Sequence, residues 1–132
     1  MGTLRLTGNV QKNAGAFSKR IRDFKTKFVQ ATHIPNLHEG TLNVWVDECV
    51  AIWPEFMIEG KELDKTEEDY LFEKCKIIVG TEEYEGFRVR PYHRPDGSGG
   101  NGDNCLEIIA EPIPNALPGA IVILEFVRHA KP

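Results

Sequence analysis

Short stretches in which side chains alternate apolar and polar, cut at close intervals by glycine and proline, run through the 132-residue chain and commit it to β-structure. The clearest lies at Thr41–Asp47. There Leu42, Val44 and Val46 face one side, and Thr41, Asn43, Trp45 and Asp47 face the other. Residues 3–10 alternate in the same way, with Leu4, Leu6 and Val10 on one face. Gly8 interrupts them, as expected at a bulge or where another backbone comes close. Further strands are expected at Cys75–Val79, ending at Gly80, at Gly86–His93, at Cys105–Ala110 and at Ala120–Val127. Ala51–Ile58 reads as an irregular or edge segment, because Pro54 cannot donate to a central ladder. Helical spacing appears once: Ile21, Phe24, Phe28 and Val29 predict one amphipathic helix over 19–30 with Ser18 as its N-cap. Residues 31–40 are a connector. About six short strands with frequent turns favour a compact, mainly antiparallel barrel over a parallel α/β sheet.

The length suits one domain, 1–132, with a core of its own. No apolar run is long enough to span a bilayer, and Met1–Arg5 lacks the apolar core of a signal peptide. Cys49, Cys75 and Cys105 form neither a Cys-x-x-Cys pair nor a disulfide framework, so reduced, cytoplasmic thiols are expected. His33, His38, His93 and His129 have no zinc-ligand spacing with them. The net charge of −4 is unevenly spread: residues 1–37 carry seven Lys/Arg against Asp23 alone, and the remainder carries nine against 19 acids. So acidic a remainder argues against a general nucleic-acid binder and fits a local anion site or a solvated basic helix.

Several places can carry chemistry. Thr41 and Asn43, two residues apart on one face, put two oxygen-bearing side chains where one hard cation could sit between them, with water and phosphate completing the shell. The alternative, and the commoner case, is a polar strand face that meets water. Gln11–Lys19 is a loop of small residues entering a helix, which offers backbone N–H groups to an anion with Lys12 or Lys19 adding charge, although the Walker phosphate-loop pattern is absent. Glu107 interrupts the apolar run Cys105–Ala110, where a carboxylate is costly without a partner. Pointed into a cavity it could accept a proton; sharing an exposed face with Ile109 it would do nothing. Arg88, Arg90 and Tyr92 share one strand face, read as solvated or else as an anion or ring contact. The glycine-rich Arg94–Asn104 is either a lid or a plain hairpin tip.

Four stretches, in order, resemble the archaeal CTP-dependent riboflavin kinase family. They are Gly8-Asn9-Val10 with the loop through Gly15, Ser18 and Lys19; Gly40-Thr41-Leu42-Asn43-Val44; Leu106-Glu107-Ile108-Ile109-Ala110; and the Gly119 turn into a closing Val/Ile strand. The likeness covers most of the chain outside 50–75. It implies a six-stranded cradle-loop β-barrel with one or two short helices, transferring a phosphoryl group from CTP to riboflavin to give FMN and CDP. By the same resemblance Thr41 and Asn43 hold Mg²⁺. Asn13, Gly15, Ser18 and Lys19, with Pro112, Ile113, Pro114 and Asn115, border the nucleotide. Glu107 contacts the flavin, orients its ribityl chain and serves as base. The sequence departs from the family pattern at Phe17, where the family has glycine, and at Glu39, where it has proline. It also lacks an equivalent of the family's flavin-contacting threonine. Two functions are therefore expected: a divergent kinase using CTP or another nucleotide, or a non-catalytic barrel of the same fold that binds a flavin, a nucleotide or a protein partner.

Overall fold

The computed structural model describes residues 2–12, 18–63, 68–92 and 103–128. Seven strands and two helices succeed one another along the chain: β1 (Gly2–Gln11), α1 (Ser18–Asp23), α2 (Lys25–Thr32), β2 (Leu42–Val50), β3 (Phe56–Ile58), β4 (Asp69–Val79), β5 (Glu82–Tyr92), β6 (Asp103–Ala110) and β7 (Ile121–Arg128). The strand order is β3-β4-β5-β6-β2-β1-β7, every pairing antiparallel, and β7 returns to pair with β4. Six strands thus close a barrel, and closure leaves it without a free edge. The three-residue β3 is added outside it on β4, and the edge position is where Pro54 is tolerated.

The period-two pattern sorts side chains between two cores. Leu6, Val10, Val44, Val46, Ile77, Leu106, Ile108, Val122, Leu124 and Phe126 fill the barrel. The outer faces of β4, β5 and β6 carry Phe72, Phe87, Val89 and Ile109, and onto these the segment between β1 and β2 lays Ile21, Phe28, Ile34 and Leu37. Phe56 of β3 stacks on Phe72, with ring centroids 4.7 Å apart and 9° between planes. That outer layer is why β4, β5 and β6 bury side chains on both faces, a pattern which alternation alone underestimates.

The single helix expected over 19–30 is two. The chain leaves helical geometry at Phe24 (φ −126°, ψ 36°) and resumes as α2. The break lets Ile21 of α1 and Phe28 of α2 both reach full burial on the same sheet face. The helix runs on to Thr32 and ends at His33 in the left-handed conformation, whose N–H bonds to Val29 O at 2.8 Å. β4 begins at Asp69, six residues before the expected start at Cys75, because Tyr70 and Phe72 in its first half are buried under the helices and β3. No helix among the described residues is long and apolar enough to cross a membrane.

Gly8 is needed for closure. A Cβ there would lie 2.5 Å from Trp45 O and 2.6 Å from Val44 Cγ1 on β2. Backbone cannot yield as a flexible side chain does, so Gly8→Ala is expected to destabilise by about 1–3 kcal/mol or more. Denaturant unfolding measures this, and an unchanged midpoint would mean that β1 and β2 are further apart than described.

Candidate functional site

Arg88 and Arg90 do not form a solvated strand face. Arg88 is 1% exposed and Arg90 is buried too, because β5 turns Phe87 and Val89 outward onto the helices and so must turn Arg88 inward. In register Arg88 lies opposite Glu73 of β4 and Ile108 of β6. Glu73, 3% exposed, takes a two-pronged ion pair from Arg128 at the end of β7, with Nε to Oε2 and Nη2 to Oε1 both 2.9 Å. It also accepts the Trp53 N–H at 2.9 Å, while Arg128 Nη2 donates to Ala51 O at 2.8 Å. The Arg128 guanidinium lies over the Trp53 and Phe126 rings, 5.0 and 5.5 Å from their centroids. The β4–β7 ladder runs only from Lys76↔Glu125 to Ile78↔Ile123. The charge pair therefore joins the two strands where their backbones have ceased to. Both partners are held in place, so this cluster is a structural clasp.

The other polar cluster lies on the outside of the barrel, where β1 ends and β2 begins. Asn43 on β2 is paired in register with Glu107 on β6, which places the two side chains on one face about 5 Å apart at Cβ. Gln11, the last residue of β1, is paired with Asn43 on its other side. Thr41, just before β2, donates its Oγ1 hydrogen to Glu107 Oε2 at 3.2 Å. Thr41 and Asn43 are both buried, and Glu107 is half-buried. The alternation read from sequence holds here: Val44 and Val46 fill the barrel while Thr41, Asn43 and Trp45 face outward. Ile109 does share Glu107's face, but that face is covered by the helices, so Glu107 sits at the margin of an apolar layer.

Burial pushes the Glu107 carboxyl above the ordinary carboxylate range, and the Thr41 hydrogen bond pulls it partly back. A carboxyl raised in the folded state favours folding only while protonated. Its contribution is present below the unfolded value, about 4.3, and is lost as pH rises through the raised folded value. Glu107→Gln is therefore expected to be modestly more stable than the parent at neutral pH, with the gap closing in acid. Denaturant unfolding across pH measures the gap; one that is independent of pH contradicts the burial cost.

The remaining sequence candidates are distributed around that end of the barrel. Asn13 and Gly15, like Phe17, lie outside the described residues, as does the glycine-rich stretch 94–102. Ser18 opens α1, and its Oγ is buried and makes no hydrogen bond among the described residues. Lys19 is exposed and paired with Asp23 at 3.2 Å. Glu39 pairs with Lys25 at 3.5 Å. In the turn after β6, Pro112, Pro114 and Asn115 are exposed, whereas Ile113 packs against the barrel core. The turn is tied to β1 by Gly119 N–H to Val10 O and Val10 N–H to Ala120 O, each 2.8 Å. His38 N–H reaches Ala110 O at 2.8 Å. The end of β1, the approach to β2 and the turn after β6 thus meet at the end at which Asn43 and Glu107 lie.

No protein-family model and no curated protein matches the chain. The site is therefore judged on its own chemistry. A threonine hydroxyl, an asparagine amide oxygen and a carboxylate are hard oxygen donors, a set that suits Mg²⁺ or Mn²⁺. Thr41 donates its hydrogen to Glu107, and a threonine oxygen in that role is an acceptor toward any further partner. A cation at this point would also relieve the cost of a half-buried carboxylate. Among the described residues no three His, Cys, Asp or Glu side chains come together as a metal group, which leaves Thr41, Asn43 and Glu107 as the oxygen cluster. Sequence reasoning missed the Glu73–Arg128 clasp altogether; its one signal was an acid and a base in otherwise strand-like runs.

Proposed function

We propose that the protein is a riboflavin kinase-like phosphotransferase, moving the terminal phosphoryl group of CTP or another nucleotide to the 5′-hydroxyl of riboflavin and releasing FMN. The observation that supports this most is the meeting of Thr41, Asn43 and Glu107. They come from two motifs 66 residues apart, and they converge on one patch through strand register and a hydrogen bond. A solvated strand face would not bury Thr41 and Asn43 or tie Thr41 to a carboxylate.

In this reading Thr41 and Asn43 hold Mg²⁺ through the hydroxyl and amide oxygens. The ion supplies neutralisation of phosphate charge and alignment of donor and acceptor. Glu107 receives the hydrogen of the 5′-hydroxyl, and its raised proton affinity suits it to that task. The 5′-oxygen forms a bond to the terminal phosphorus, the bond from phosphorus to the bridging oxygen breaks, and the nucleoside diphosphate leaves with the electron pair. Thr41 keeps the Glu107 carboxylate oriented. The loop leaving β1 at Gln11 starts beside Asn43, which suits a covering role over the phosphates. With Ser18 and the exposed Pro112, Pro114 and Asn115, it forms the nucleotide side.

The test is to incubate purified protein with riboflavin, Mg²⁺ and either CTP or ATP, and to separate the flavins. FMN that depends on both metal and nucleotide supports the kinase and shows its donor. Flavin fluorescence quenched without FMN would replace the proposal with a flavin-binding barrel, and no response to flavin would remove riboflavin from the account.

A further inference from the structure

The outward face of β2 continues past Asn43 to Trp45, whose ring is 46% exposed. Trp45 is a large aromatic side chain half in water, directly beside a polar cluster. Its neighbours in the same cross-strand row are Asn9 on β1 and Cys105 on β6, both exposed, and beyond Asn9 lies Ile121 on β7, 66% exposed. Trp45 and Ile121 thus stand on either side of Asn9, roughly 9–10 Å apart at two strand spacings. The result is a row of exposed side chains in which an amide stands between an aromatic and an aliphatic group.

We infer that Trp45 is the stacking platform for the isoalloxazine ring of the flavin acceptor, with the Asn9 amide facing the ring's hydrogen-bonding edge. The inference rests on the kinase reading of the neighbouring row. Phosphoryl transfer needs the donor and acceptor oxygens on opposite sides of the phosphorus. The end of β1 at Gln11 and the turn Glu111–Gly119 lie at the barrel end, on one side of the Asn43–Glu107 row. The Trp45 row lies on the other side, two residues further along each strand, or about 6.8 Å. An extended ribityl chain spans a similar distance. A 5′-hydroxyl at Glu107 therefore leaves the ring over Trp45 and away from the nucleotide. Cys105, exposed and opposite Trp45 in register, is two residues from Glu107 on the same face of β6.

The test uses the full chain with Trp53→Phe, which leaves Trp45 as the sole tryptophan reporter. Riboflavin should quench Trp45 emission, and CTP or ATP alone should not. Trp45→Ala should raise the KM for riboflavin about tenfold or more, the scale of lost ring stacking, with the nucleotide KM and kcat little changed. Trp45→Phe should restore most of the affinity. An unchanged riboflavin KM in Trp45→Ala while FMN still forms overturns the platform and leaves the kinase reading standing. A raised nucleotide KM instead overturns it in favour of a nucleobase. Flavin fluorescence that the protein quenches and Trp45→Ala does not, without FMN formation, keeps the platform and removes the kinase. Neither quenching nor FMN removes both.

Discussion

Glu73→Ala is expected to cost about 3–5 kcal/mol of folding stability, because it strips the buried counter-charge from the largely covered Arg128 and leaves that charge uncompensated. Glu73 receives both prongs of Arg128, caps the Trp53 N–H and lies opposite Arg88 in register, so one deletion disturbs three partners. Arg128→Ala is expected to cost less, since Glu73 then still faces Arg88. The order of the two effects is the informative part. An ion pair on the surface would give about 0–1 kcal/mol for either change. Urea unfolding followed by far-ultraviolet circular dichroism measures both. A loss below about 1 kcal/mol for Glu73→Ala would show that the clasp is solvated and that β4 and β7 need no joining at that end.

The second large effect is on activity. Asn43→Ala is expected to lower kcat/KM for FMN formation by about 10²–10³, the scale seen when one preorganised electrostatic contact to a developing charge is removed. Thr41→Ala should do the same, since it removes an oxygen donor and also the hydrogen bond that orients Glu107. Stability should change much less than activity in both, because neither side chain belongs to the barrel core or to the layer under the helices. Thermal unfolding of the same samples separates the two roles. Parallel loss of folding and activity would mean that Thr41, Asn43 and Glu107 hold β2 to β6 and do nothing more.

The barrel was legible in the sequence because its strands obey local rules. Val44 and Val46 against Asn43 and Trp45, the interruption at Gly8 and the edge position of Pro54 all follow from the two-residue repeat and from what proline and glycine can do in a ladder. What was not legible depends on tertiary partners. Arg88 and Arg90 were read as solvated because arginine usually is, and only the outward packing of Phe87 and Val89 forces them inside. Glu73 and Arg128 are 55 residues apart, and nothing local marks them as a pair. The break at Phe24 leaves the helical spacing intact and so leaves no trace in the pattern. At the candidate site, the oddity of Glu107 within an apolar run was visible, whereas its bond to Thr41 required the register of β2 against β6.

The central claim is that Thr41 and Asn43 form an oxygen site for a divalent cation bound with nucleotide phosphate, with Glu107 beside it as the base. Mn²⁺ accepts the same octahedral oxygen coordination as Mg²⁺ and broadens nearby NMR signals. Substoichiometric Mn²⁺ should therefore be added, with CTP or ATP present, to ¹⁵N-labelled protein while the side-chain amide of Asn43 and the backbone amides around Thr41 and Glu107 are followed. The account predicts that these signals broaden first and recover on adding excess Mg²⁺, and that Asn43→Ala abolishes the effect at Thr41 and Glu107. Broadening confined to the acidic surface, or none at this cluster, would contradict it.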